Sequence, residues 1–245
     1  MKASDFRRTA REALKGNWFV AIIGGIIASI FGGLNSSGAS FTFNFNFEMP
    51  EVENNEGVAS LINATQVNGA YSGMYDGIVV ALMIVFAIAA VYSIIMFIIG
   101  SAVAVGYSEF NLDLIYGVKP KISSIFSRFG QLGTAIRARL LAFVRIFAGF
   151  ILFVIPGVVM SYSYAMINFV MAEHPEMNAR EALKESKRIM KGNRWRLFCL
   201  SLSFIGWAML SILTFGIGLI WFIPYQQAAL AAFYNEVSER ADYSW

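Results

Sequence analysis

The sequence predicts an all-α fold: a polytopic membrane helical bundle of six crossings in three hairpin-like repeats, with amphipathic helices on the cytoplasmic side. Three observations predict it. No Asp, Glu, Lys or Arg lies between Lys15 and Glu48, Asp76 and Glu109, Arg145 and Glu173, or Arg196 and Glu236. An apolar run of about 18 residues or more can cross a bilayer as a helix. Lys and Arg flank these runs, as the positive-inside rule requires. Finally, Ala10-Arg11-Glu12-Ala13-Leu14 recurs as Ala179-Arg180-Glu181-Ala182-Leu183, and Lys15-Gly16-Asn17-Trp18 recurs as Lys191-Gly192-Asn193-Arg194-Trp195.

Residues 4–16 read as an amphipathic helix with Phe6, Ala10, Ala13 and Leu14 at helical spacing. The first crossing is Trp18 to about Leu34. It is longer than the 7–15 residues of a signal-peptide apolar core, so it is expected to stay in the protein. Gly25, Ser29 and Gly33 stand four apart on it, which suits a packing groove for another helix.

The outer segment 36–76 has no Lys or Arg and carries Glu48, Glu51, Glu53, Glu56 and Asp76. Phe41, Phe43, Phe45 and Phe47 alternate with Thr42, Asn44 and Asn46, a period of two that signals a strand. A face made of Phe must meet the membrane surface, the protein or a partner. The second crossing starts near Ile78, leaves the bilayer near Gly100 and continues as helix to about Tyr116, with Gly117 ending it. After Pro120, the positions Ile122, Ile125, Phe126 and Phe129 make a second short amphipathic segment.

The run from Ala142 to Ala172 holds Pro156-Gly157. Basic residues at both ends, Arg137 and Arg139 before and Arg180, Lys184, Lys187 and Arg188 after, place both ends in the cytoplasm. A hairpin turning at Pro156-Gly157 satisfies this, as does a re-entrant pair. Residues 178–190 form the clearest amphipathic helix, with Asn178 and Glu181 as a capping box. The run Leu197–Asn235 is too long for one crossing. Gly216 and Gly218 offer its turn, and Pro224 kinks the sixth crossing. The repeat-like units are about 4–117, 118–176 and 177–240, within one integral membrane domain over 1–245.

Composition agrees. Hydrophobic residues are 57% of the chain and charged residues 14%, against about a quarter charged in soluble domains. The pI near 9.0 does not point to nucleic acid, because the basic residues follow the crossings. The lone cysteine, Cys199, allows no intrachain disulfide.

Several stretches carry a resemblance. They are Gly106-Tyr107-Ser108-Glu109-Phe110-Asn111-Leu112; Ile155-Pro156-Gly157 with Tyr162-Ser163-Tyr164; Glu181-Ala182-Leu183-Lys184-Glu185-Ser186-Lys187; Met190-Lys191-Gly192-Asn193; Trp195-Arg196-Leu197-Phe198; Phe204-Ile205-Gly206-Trp207; and Leu213-Thr214-Phe215-Gly216-Ile217-Gly218. Their order resembles the bacterial membrane proteins grouped as domain of unknown function 975, found mainly in Gram-positive bacteria. The resemblance covers nearly the whole chain and is most specific in the last third. A weaker similarity of layout links that group to the membrane domain of some glycerophosphodiester phosphodiesterases. It implies a fold and a membrane, and no activity.

Within the bundle, Arg145 falls near mid-bilayer, where a charge is costly and needs a partner. Glu109 and Asp113 are the expected partners. With Tyr107, Asn111, Tyr162, Tyr164 and Asn168 they form a candidate intramembrane polar site, to be weighed against ordinary interhelical hydrogen bonding. Gln226 and Gln227 allow the same two readings. Arg7, Arg8, Arg11, Lys184, Lys187 and Arg188 make basic faces suited to anionic headgroups. His174 has no Cys or carboxylate at ligand spacing, so neither a metal nor a cofactor is expected. No phosphate loop, HExxH or nucleophile elbow is present. The expectation is a non-catalytic protein of the bacterial cytoplasmic membrane, both termini cytoplasmic. It binds membrane lipid, or a partner protein through segment 36–76. The alternatives are a small-solute or lipid transporter and, third, an enzyme acting on lipid headgroups.

Overall fold

The computed structural model describes residues 3–36, 70–214 and 216–242. The Phe-alternating stretch and the outer segment up to residue 69 lie outside the described residues. Among the described residues the regular structure is helical throughout. The helices are α1 (Ala3–Leu14), α2 (Trp18–Ile30), α3 (Ala70–Ile115), α4 (Leu132–Leu152), α5 (Val154–Ser163), α6 (Ile167–Glu173), α7 (Ala179–Ile189), α8 (Arg194–Leu213) and α9 (Leu219–Asp242), with 3₁₀ turns at Gly33–Ser36 and Ile122–Gln131. The amphipathic segment after Pro120 is thus 3₁₀ rather than α.

Among the described residues two stretches are long and apolar enough to cross a membrane: Val79–Ile115, and Val154–Glu173, which runs through α5 and α6. The pair α1 and α2, bent by 106°, is a third if taken as one span. The 37 residues of the first extend about 55 Å at 1.5 Å each, well beyond a hydrocarbon core of about 30 Å. By contrast α2 has 13 residues and is only about 20 Å long.

The chain divides into two compact units, residues 43–95 and the remainder. In the first, α3 from Val79 to Ala89 is exposed throughout and almost wholly apolar. The second has a core built from Ser101–Phe110 of α3, Ser163–Ala172, and Gln226–Tyr234 of α9, with α1 and α7 laid on it. Its exposed large apolar side chains concentrate on Leu140–Met160 and Leu202–Trp221. Hence its interior and its lipid-compatible surface come from different parts of the same helices.

Local chemistry explains the breaks. Gly16, Gly117, Gly192 and Gly216 have φ between 72° and 84°, a region costly for a residue with Cβ. They end α1, α3, the turn after α7 and the turn after α8. Asn178 caps α7 by accepting from the Arg180 and Glu181 amides, and Glu181 accepts from the Asn178 amide. The expected turn at Pro156-Gly157 is corrected: the chain turns at Phe153, whose φ of −163° and ψ of 154° are extended. Pro156 sits in the first turn of α5, where no intrahelical partner is needed for its missing N–H. Gly149 and Gly157 let α4 and α5 touch; a Cβ on Gly149 would lie 3.1 Å from the Gly157 Cα.

Of the three small residues spaced four apart, Gly25 and Gly33 meet other segments, whereas Ser29 is exposed and its hydroxyl donates to the Gly25 carbonyl of its own helix. Gly24 faces Phe110 and Ile125, Gly25 faces Tyr107 and Pro224, and Gly33 faces Val103. The closest approach is at Gly106, where a Cβ would sit 2.2 Å from the Ile125 carbonyl oxygen. Finally, α1 buries Phe6, Ala10 and Leu14, with Phe6 edge-on to Phe233 of α9 at 5.2 Å.

Candidate functional site

The residues of the predicted polar site are divided among separate contacts. Glu109 accepts a fork from Arg128, Nε to Oε2 at 2.8 Å and Nη2 to Oε1 at 3.0 Å. Ser127 Oγ donates to the same carboxylate at 2.8 Å. Arg128 also donates to the Ala172 carbonyl at 2.9 Å, joining the 3₁₀ segment, α3 and α6. Arg145 instead lies over the Tyr164 ring, 5.8 Å from its centroid, a cation–π geometry. Tyr107 is buried, stacked on Phe110, and its carbonyl accepts from the Asn111 amide nitrogen. Tyr162 packs edge-on to Phe198. Glu109 and Tyr162 therefore brace other segments, Asn111 bonds within α3, and Arg145 meets Tyr164 rather than Glu109 or Asp113.

Two arrangements were not foreseen. Arg139 turns inward onto α3, 4.7 Å from the Phe97 centroid and 3.4 Å from Ser101 Oγ. Its place two residues after Arg137 puts it on the opposite side of the helix, and that offset is the signal in the sequence. The other is Glu173, which accepts from Tyr116 Oη at 3.0 Å and Tyr234 Oη at 2.5 Å. It lines a cavity of about 260 Å³ with His174, Glu185 and Glu239. Burial and then the Glu173 charge push the Tyr116 phenol up from its ordinary range. His174 Nδ1 lies 3.4 Å from Glu176. Among the described residues no group of three His, Cys, Asp or Glu is placed to hold a metal.

The basic faces are partly folded inward. Arg188 forks onto Glu185 and donates to the Ala241 carbonyl. Arg7 reaches the Ser203 carbonyl at 3.5 Å, and Arg11 Nε donates to the Arg7 carbonyl at 3.3 Å. Arg8 lies 3.9 Å from Glu12. Lys184 and Lys187 are exposed. Arg196, at the start of α8, bonds Glu236 at 2.8 Å and Asn193 at 2.9 Å. It also lies over both Phe6 and Phe233.

Residues 121–241 match the family model described as protein of unknown function (DUF975). This part of the chain is a DUF975 region. It begins after α3, so Arg128, Arg139 and Arg145 belong to it while Glu109 and α1 precede it. No curated protein and no solved structure matches the chain.

The DUF975 region also contributes most of an apolar groove. Trp207 of α8 and Trp221, Phe222 and Tyr225 of α9 line it, together with Arg11 and Trp18. Its volume is about 320 Å³, within the range of small-molecule sites. Trp207 and Tyr225 meet edge-on with centroids 6.5 Å apart. The aromatic walls suit a hydrocarbon chain, and the Arg11 guanidinium adds one cationic group to the apolar lining. Trp207 and Trp221 are each about half exposed, 51% and 52%, so the groove opens outward.

Proposed function

We propose that this chain is a six-crossing protein of the bacterial cytoplasmic membrane that binds membrane lipid, or a partner protein, without catalysing a reaction. Both termini lie in the cytoplasm, and the three helical-hairpin units make an internal repeat. The crossings are α2, α3, α4, α5 with α6, α8 and α9. The lengths of α4 and α8, 21 and 20 residues, support this, since each is about 30 Å long. The like conformations of Gly16 and Gly192, φ 82° and 84°, support the repeat. The role is envelope assembly or maintenance.

The observation that carries the binding reading is the aromatic groove with Arg11 in its lining. An amphiphile with a hydrocarbon tail and an anionic head matches both its wall and its charge. A transport reading draws on Arg139 and Arg145, which rest on aromatic rings of neighbouring segments and offer an anion two cationic groups along α4.

The test is purification in native nanodiscs or mild detergent, with mass spectrometry of everything retained. Stoichiometric lipid or a reproducible protein partner supports binding. An empty protein that carries a solute, with flux lost in Arg145→Gln at unchanged folding, overturns it in favour of transport.

A further inference from the structure

A second concavity, away from the aromatic groove, combines charge and apolar surface differently. It lies between α4 and the start of α7, has a volume of about 590 Å³, and is lined by Thr134, Arg137, Leu140, Leu141, Asn178 and Arg180. Arg137 and Arg180 come from separate helices, are both exposed, and form no ion pair among the described residues. Two guanidiniums facing one cavity repel unless an anion lies between them. The nearest acid in sequence, Glu181, accepts the Asn178 amide as part of the helix cap.

Outward from the two arginines α4 turns apolar. Leu140, Val144, Phe147 and Ile151 are 52%, 55%, 55% and 72% exposed, and they recur at spacings of three and four that share one helix face. The pattern is therefore cationic at one end and hydrocarbon along the next three turns. A free phosphate would use only the first part, whereas a phospholipid uses both. Basic pockets between membrane helices on the cytoplasmic side are a recurring site for anionic headgroups.

We propose that this cavity is a binding site for an anionic glycerophospholipid, its phosphate held between Arg137 and Arg180 and an acyl chain lying along Leu140, Val144 and Phe147. The assignment rests on the lipid-binding reading above and gives it a second, charge-selective site. The side chains of Thr134 and Asn178 stand at the headgroup, where a glycerol hydroxyl meets their hydrogen-bonding atoms.

The test is native mass spectrometry of the full chain in detergent, titrated with phosphatidylglycerol or with phosphatidylcholine of the same chains, and separately with inorganic phosphate. Wild type is expected to retain phosphatidylglycerol in preference to phosphatidylcholine. Each cationic residue near a headgroup contributes about fivefold in affinity, so Arg137→Gln/Arg180→Gln is expected to weaken phosphatidylglycerol binding roughly 25-fold. Lys119→Gln/Lys191→Gln removes the same charge at two exposed positions elsewhere and is expected to leave it within about twofold. Arg180→Gln alone, at an exposed position, serves if the double variant does not fold, and an unchanged affinity there overturns the site. Equal loss in the charge-matched control also overturns it, as does binding of inorganic phosphate as tight as that of the lipid. If wild type retains phosphatidylglycerol and the double variant retains it equally, this site falls while the lipid-binding reading stands. If wild type retains no lipid at all, both fall.

Discussion

Replacing Arg128 with Gln tests whether the charged groups at the inner end of α3 hold the fold together. Arg128 makes two hydrogen bonds to Glu109 and one to the Ala172 carbonyl, at 2.8, 3.0 and 2.9 Å. The side chains are only 18% and 27% exposed, so solvent replaces little of what is lost. Truncating one partner of a fully buried pair costs about 3–5 kcal/mol, because the other charge stays behind without its counterion. The residual exposure and the surviving Ser127 hydrogen bond to Glu109 lower the expected cost to about 2–4 kcal/mol. At about 2–4 °C per kcal/mol for a chain of this size, the melting temperature falls by about 5–15 °C. Cys199 is the only cysteine and is half-buried, so its labelling by a thiol-reactive dye during heating reports unfolding. Glu109→Gln should lose less than Arg128→Gln, and the double variant less than the sum, with a coupling of about 1–3 kcal/mol. Arg145→Gln, which gives up only the ring contact with Tyr164, should shift melting by under about 3 °C. The reasoning fails if Arg128→Gln melts within about 2 °C of wild type, or if Arg145→Gln is the more damaging change.

Gly106→Val should abolish the folded monomer peak in size-exclusion chromatography, because the added Cβ meets the Ile125 backbone carbonyl and backbone cannot rotate aside as a side chain does. Gly206→Ala, where nothing lies within 4 Å of the new methyl, should instead raise stability by about 0.5–1 kcal/mol in the same thermal assay. Asn178→Ala should cost about 1 kcal/mol and lower amide-exchange protection in the first turn of α7, since it removes the side-chain oxygen that accepts from the Arg180 and Glu181 amides while the backbone bond to Glu181 stays. Burial pushes the Glu236 carboxyl up, but its cationic partners, Arg196 first among them, together outweigh it and hold its pKa below the ordinary 4.5. The stability it supplies is therefore complete above the unfolded value and lost as pH falls through the folded one. Thermal melts below pH 4.5 should show Glu236→Gln converging on wild type, and a gap that persists at low pH would contradict this.

The features most legible in the sequence were those set by local chemistry. The Asn178–Glu181 box, the turn at Gly216 and the helix end before Gly117 all depend on a few adjacent residues, and they appear where expected. Partner choice was less legible. Glu109 meets Arg128, 19 residues on, because the chain after Gly117 folds back as a 3₁₀ segment whose path no periodicity describes. The turn before α5 was misplaced by three residues because proline suits a helix start as well as a break. The role of α1 was hidden for another reason. An amphipathic face looks the same whether a bilayer or a protein core covers it, and here Phe6, Ala10 and Leu14 are covered by protein. In the same way, three arginines on α4 look alike in sequence, yet Arg139 turns to α3, Arg145 to Tyr164 and Arg137 to the cavity beside Arg180.

The contact of Phe6 with Phe233 has a consequence for biosynthesis. These rings are separated by 227 residues of chain, and at about 5–20 residues per second the ribosome takes roughly 11–45 s to deliver the second after the first. Throughout that interval the apolar side of the first helix has no cover from the last. It must rest against the bilayer surface, the translocation machinery or a chaperone, and then change hosts when α9 arrives. Nascent chains arrested before residue 219 should accordingly keep their first helix within reach of a lipid-phase crosslinker, and full-length chains should withdraw it.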